Sequence, residues 1–180
     1  LDEVLRSDFA RAFNSEYGKQ ASATLLTQYR MAPPIGNLVS HTFYDGKLNN
    51  GDRAIPDIYA VAPSPLRSAV TWLDTSSLGE YANHQSDRGV SIYNRCEAEQ
   101  VIELLKQISE SGQFLNDLSD LKDKDDALIG VICMYAEQKR LIRQKFNQGI
   151  WSDGFKALVK IDTVDSYQGK ENRIIILSLT

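Results

Sequence analysis

Long apolar runs are missing from this chain of 180 residues; no stretch approaches the ~20 residues needed to cross a bilayer. The first residues, LDEVLRSDFARAF, carry acids and arginines where a secretory leader needs an apolar run. The chain is therefore expected inside the cell, cytoplasmic or, in a eukaryote, nuclear, with no membrane partner. Cysteine is scarce too. Cys96 and Cys133 lie far apart, without CxxC or Cys/His ligand spacing, so zinc and disulfide readings are weak and two buried thiols are expected. An excess of positive charge is also lacking: 20 Lys and Arg face 24 Asp and Glu, a net charge of −4. Nucleic-acid binding would have to rest on a local patch. One candidate exists, where Lys139, Arg140, Arg143 and Lys145 stand close together beside Gln138 and Gln144. The same run can equally be a solvated helix face. Finally, no GxxxxGK[ST] occurs, so no loop of this chain can cradle β- and γ-phosphates and no hydroxyl of that motif can hold Mg²⁺.

What is present is ordinary for a globular chain: 42% apolar and 24% charged residues. The length favours one domain with a continuous core. Apolar spacing from Leu1 to Phe13 predicts a helix, broken at Tyr17-Gly18-Lys19. Pro33-Pro34 fits the entry to a second helix running to about Tyr44, which Asp45-Gly46 would end. Residues 49–68 read as irregular connection, and Val70 to Asp74 as a short strand. Asn94 can cap a helix while Glu97 reaches back to it, with Ala98, Val101, Ile102, Leu104, Leu105 and Ile108 forming the apolar stripe. After an acidic segment, Ala127 to Met134 suits a strand buried on both faces of a parallel sheet. A helix from Ala136 to Asn147, a strand from Ala157 to Thr163, a glycine-bearing loop and a strand from Arg173 to Thr180 follow. This alternation predicts an α/β layered domain whose ligands gather at the carboxyl ends of strands.

Three segments at or near such ends carry chemistry. Gln28-Tyr29-Arg30 sets an amide, an aromatic face and a guanidinium fork side by side. The set can meet a base and phosphates, or Arg30 can simply cap carbonyls near the Pro-Pro turn. Tyr135 and Gln138 emerge where a strand gives way to a helix; they can stack on and hydrogen-bond a strand of nucleic acid, or be ordinary first-turn residues. The third segment runs from Ile161 to Glu171. Its Thr163 and Ser166 can donate to phosphate oxygens, Gly169 allows close backbone approach, and Glu171 can accept from a ribose hydroxyl.

Taken in order, these pieces resemble the superfamily 1B helicases, the branch of the nonsense-mediated-decay RNA helicase, senataxin and the DNA replication helicase-nucleases. Gln28-Tyr29-Arg30-Met31-x-Pro33, followed by Phe43-Tyr44-x-Gly46-x-Leu48, is similar to motif IV and its sequel. Thr163-Val-Asp-Ser-Tyr-Gln-Gly-Lys-Glu171, running into Ile174 to Ser178, is similar to motif V. Ala32, Met134-Tyr135 and Tyr167 depart from the family's usual His, Pro-Tyr and Phe.

The resemblance implies a RecA-like, P-loop-NTPase-type layered domain with a mostly parallel sheet flanked by helices. Residues 1–180 would be the second, C-terminal RecA-like domain, ending before motif VI, with the Walker A and B residues in a first RecA-like domain elsewhere. Tyr29 would stack on adenine with Gln28 supporting its loop, and Arg30 would reach the γ-phosphate as a catalytic arginine finger. Gly169, Lys170 and Glu171 would lie near the ribose and phosphates. Thr163, Ser166, Tyr135 and Gln138 would hold single-stranded DNA or RNA, while Asp165 and Gln168 couple the two sites. The implied cofactor is ATP with Mg²⁺, the metal held by the first domain, and the chain alone would not hydrolyse ATP. The alternative is a non-catalytic, helicase-like scaffold or binding module. An unrelated nucleotide-binding domain built on the Tyr167–Lys170 turn ranks last, because one glycine makes a poor phosphate cradle.

Overall fold

The computed structural model describes residues 8–86, 91–122, 127–167 and 171–180. Where sequence reading expects one domain, the contacts group into two compact units, residues 1–55 and 56–180.

In the first unit, helices α1 (Asp8–Asn14) and α2 (Glu16–Ala21) follow one another with only Ser15 between them. The expected break at Tyr17-Gly18-Lys19 does not occur, because the Ser15 hydroxyl accepts from the Gly18 N–H and restarts the helix. Strand β1 (Thr27–Gln28) pairs in parallel with β2 (Asn49–Asn50), in a segment expected to be irregular. Helix α3 (Pro33–Phe43) joins them and starts on its proline pair, where a missing N–H costs nothing. Its end lies in the left-handed region at Asp45 (φ 50°) and Gly46 (φ 74°), as the Asp-Gly pair predicts.

The second unit begins with 3-10 turns at Asp57–Val61, Ser64–Arg67 and Ser76–Ala82. No strand forms at Val70 to Asp74. Those residues have strand-forming side chains but no strand to pair with among the described residues, and Trp72 is 76% exposed. The layered core then assembles in the expected order: α4 (Arg95–Glu110), β3 (Ile129–Cys133), α6 (Ala136–Gln148), β4 (Val159–Thr163) and β5 (Ile174–Ser178). Two short helices, α5 (Gly112–Asp120) and α7 (Asp153–Lys156), form in segments for which the sequence predicts none. The sheet is parallel throughout, in the order β4-β3-β5. Crossovers α6 and α7 connect β3 to β4, as a parallel pair requires.

Central β3 buries Ile129, Val131 and Cys133 on one face, with Gly130 buried and Ile132 half-buried on the other, which explains its unbroken apolar run. Helix α4 lays Ala98, Val101, Leu104, Leu105 and Ile108 into the core, and α5 adds Phe114 and Leu118. Each fully buried Leu, Ile or Phe contributes about 1.5–3 kcal/mol of transfer free energy. Edge strand β5 is covered on one face only. Ile174 and Ser178 are buried, whereas Ile175 and Leu177 on the other face are about half exposed. Both cysteines are free and buried, and burial pushes the Cys133 thiol up to about 11, so it stays protonated and inert. No helix among the described residues is long and apolar enough to cross a membrane.

Candidate nucleotide and nucleic-acid sites

In the first unit, Gln28 builds the loop that carries its neighbours. Its Oε1 accepts from the N–H groups of Arg30 (2.9 Å) and Met31 (2.7 Å). Its Nε2 donates to the Met31 carbonyl (2.9 Å) and to Asn50 Oδ1 (2.7 Å). All four bonding positions of the amide are thereby used, three within the loop and one on Asn50. Of the two uses open to Gln28, direct contact or support, the geometry is that of support. Asn50 passes the constraint on, donating to Asn37 Oδ1 at 2.7 Å on α3. Arg53 closes the loop from the other side, its Nη1 donating to the carbonyls of Tyr29 (3.0 Å) and Arg30. The Tyr29 ring is left 69% exposed, and Arg30 beside it is exposed. Sequence reasoning missed Asn37, Asn50 and Arg53. Asn50 lies in Asn-Asn-Gly, which reads as a chain breaker, Asn37 and Arg53 carry no local signal, and the partners lie 13 to 24 residues away.

In the second unit, Tyr135, Thr163 and Ser178 lie along one edge of the sheet. Cys133 is in register with both Thr163 and Ser178, and Tyr135 follows β3 as the N-cap residue of α6. The hydroxyls of Thr163 and Ser166 come within 3.4 Å of each other. Tyr135 is 37% exposed, and Asp165 stands exposed in the 3-10 turn after β4. Tyr167, buried, donates its hydroxyl to the Lys160 carbonyl at 2.6 Å, so the departure from Phe has a partner. Burial raises its pKa well above the ordinary tyrosine value. Gly130 lies beneath this turn: a Cβ there would stand 2.7 Å from Asn172 Oδ1 and 3.0 Å from the Tyr167 ring. Glu171 is exposed, while Gln168, Gly169 and Lys170 lie outside the described residues.

Gln138 is a correction. Expected on nucleic acid, it is wholly buried. Its Oε1 accepts from the Asn94 N–H (2.8 Å), and its Nε2 donates to the Asn94 carbonyl (3.1 Å) and Ser178 Oγ (2.9 Å). The amide is spent joining α4, α6 and β5, and offers no surface to a strand. The same bonds rewrite the expected capping box. Asn94 Oδ1 does accept from the Glu97 N–H (3.0 Å), but Glu97 cannot reach back to a donor that Gln138 already holds. Its carboxylate instead accepts from Ser178 Oγ (2.6 Å) and the Thr180 N–H (2.9 Å).

The basic run on α6 is matched by acids. Lys139 and Arg143 both meet Asp162, at 3.3 and 3.4 Å, Arg140 meets Glu137 and Lys145 meets Glu99. Burial would push the Asp162 carboxyl up. The Thr163 N–H and the two cations outweigh it and hold the group below its ordinary value.

A parallel sheet with helical crossovers, carrying its exposed hydroxyls and rings at the carboxyl edge, defines an α/β domain of RecA-like type. Residues 4–180 match the family described as AAA domain. The chain is 30% identical over 159 residues to Regulator of nonsense transcripts 1 of Caenorhabditis elegans, and 32% identical over 161 residues to the ATP-dependent helicase upf1 of Schizosaccharomyces pombe. It is 28% identical over 155 residues to the Helicase sen1 of that yeast. Each comparison covers 86% of this chain but only 13%, 16% and 8% of the respective relative. The chain belongs to this AAA-domain family. It spans less than a fifth of the length of these relatives.

Proposed function

We propose that this chain is the C-terminal RecA-like motor domain of an ATP-dependent superfamily 1 helicase acting on single-stranded DNA or RNA. The observation that carries the reading is the Gln28 loop. A glutamine spends three of its four amide bonds on a turn, and the fourth on Asn50 behind it, and the turn exposes an aromatic ring and a guanidinium. Tyr29 supplies a stacking face for adenine, and Arg30 supplies a fork suited to γ-phosphate oxygens. Glu171, with Gly169 and Lys170, serves the ribose and phosphates.

ATP fits this set as a shared ligand. The chain has a base platform and a cation but no phosphate-cradling GxxxxGK[ST], so the N-terminal RecA-like domain of the same protein completes the site and holds Mg²⁺. The bound nucleotide supplies the free energy of γ-phosphate cleavage. Arg30 stabilises charge developing on the transferred phosphoryl group, and Tyr29 holds the base in register. This chain alone is accordingly inactive. Thr163, Ser166 and Tyr135 grip the strand through backbone and stacking contacts that read little sequence, with Asp165 and Gln168 linking that grip to the nucleotide. The proposed location is the cytoplasm, or the nucleus in a eukaryote.

The test is ATP hydrolysis by the full-length protein with and without single-stranded DNA and RNA, beside Arg30→Ala. Strand-stimulated hydrolysis is expected, falling in the variant by a factor on the order of 10³. No hydrolysis with either polymer overturns the motor; an unaffected variant overturns the role of Arg30.

A further inference from the structure

We propose that Gly51 is a positioning residue for the nucleotide base: its bare backbone is the seat that fixes the Tyr29 ring. The inference rests on the reading of Tyr29 as the base-stacking residue. An ideal Cβ at Gly51 would stand 2.2 Å from Tyr29 Cδ1, 2.3 Å from Cε1 and 3.0 Å from Cγ. One edge of the ring therefore fills the space that any other residue's side chain would occupy, while most of the ring faces outward.

The backbone around the ring has little freedom to yield. The Gly51 N–H donates to the Gln28 carbonyl at 2.7 Å, and the Asn49 N–H donates to the Leu26 carbonyl at 2.7 Å. Arg53, two residues beyond Gly51, holds the carbonyls of Tyr29 and Arg30. The Gln28–Asn50 bridge is itself laid over a second glycine. A Cβ at Gly36 would come within 1.9 Å of Asn50 Oδ1 and 2.7 Å of Gln28 Nε2. With its backbone pinned on both sides, Tyr29 can answer a methyl group at position 51 only by rotating its side chain. The ring is exposed, so that rotation disturbs no core. A substitution at Gly51 therefore moves the stacking platform and leaves the fold intact.

This separates a positioning role from a structural one. In the full-length protein, Tyr29→Ala, Gly51→Ala and the double variant are compared for KM and kcat of strand-stimulated ATP hydrolysis, with thermal unfolding alongside. Loss of one base–ring stack raises KM for ATP on the order of tenfold in Tyr29→Ala. Gly51→Ala is expected to raise KM several-fold, with kcat and the unfolding midpoint unchanged. The double variant should match Tyr29→Ala alone, because Gly51 acts only through the ring. Multiplying effects, or a Gly51→Ala variant with wild-type KM, overturn the proposal.

A second readout keeps it apart from the stacking reading. With 3-fluorotyrosine at position 29, Gly51→Ala should shift the fluorine resonance of the nucleotide-free protein. An unmoved resonance overturns the seat. A moved resonance together with a silent Tyr29→Ala retains the seat and overturns base stacking.

Discussion

Replacing Gln138 by methionine tests whether that residue belongs to the interior or to a nucleic-acid surface. Methionine keeps most of the volume, so the cavity term is small. The amide is lost. The Asn94 N–H, buried 2.8 Å from Gln138 Oε1, is left without its acceptor at a cost of about 1–3 kcal/mol. The Asn94 carbonyl, which still accepts from the Ala98 N–H, and Ser178 Oγ each lose a donor, adding about 0.5 kcal/mol apiece. Ser178 still bonds Glu97, which limits its share. The total is about 2–4 kcal/mol, a large part of the ~5–15 kcal/mol that holds a domain folded. Native-state hydrogen exchange on the full-length protein reads this directly. Amides of β3 should lose protection by about 30- to 1000-fold, since each 1.4 kcal/mol is tenfold. Affinity for single strands under native conditions should not change. Protection preserved within about threefold, with weakened strand binding, would refute the reasoning and put Gln138 on the strand.

Two further perturbations probe the same unit. Asp162→Asn should cost about 1 kcal/mol at neutral pH, discounted for the partial exposure of Arg143, and should speed exchange at β4 amides. Because the folded Asp162 carboxyl titrates below its ordinary 3.8, its stabilisation is present above that value and is lost as pH falls through the lower folded one. Acid titration of exchange should show this loss in the wild type and lack it in Asp162→Asn; identical acid profiles would refute the assignment. Gly130→Ala should destabilise by about 1–3 kcal/mol through overpacking against Asn172 and Tyr167, seen as a lower thermal midpoint. An unchanged midpoint would show that the turn after β4 yields freely.

Elements whose partners are near in sequence, or whose burial is written in their own composition, were legible from the chain alone. Helix α4 announces itself through Asn94 and a stripe of apolar residues, and β3 through an apolar run that only a doubly covered strand requires. The Gln28–Tyr29–Arg30 segment and the Thr163–Ser166 pair were singled out because their functional groups are adjacent. Readings failed where the deciding partner lay far away. Gln138 looks like a surface amide until Asn94, 44 residues earlier, folds against it. Val70 to Asp74 has the residues of a strand, but strand pairing needs a neighbour that composition cannot supply. Helix α5 was hidden by its polar residues, although Phe114 and Leu118, one turn apart, both face the core.

The acid-matched face of α6 has a consequence for how tightly a polyanion can be held. Affinity that comes from phosphates displacing their counterions on unpaired cations falls steeply with added salt, by roughly one power of concentration for each phosphate neutralised. Lys139, Arg140, Arg143 and Lys145 already have carboxylates as counterions, so a strand arriving there would gain little by replacing them. Any grip at this face should therefore vary little with ionic strength, leaving hydroxyls and rings to carry it. Such contacts are short-ranged and individually weak, and can be released one nucleotide at a time without pulling a chain of charges out of a deep electrostatic well.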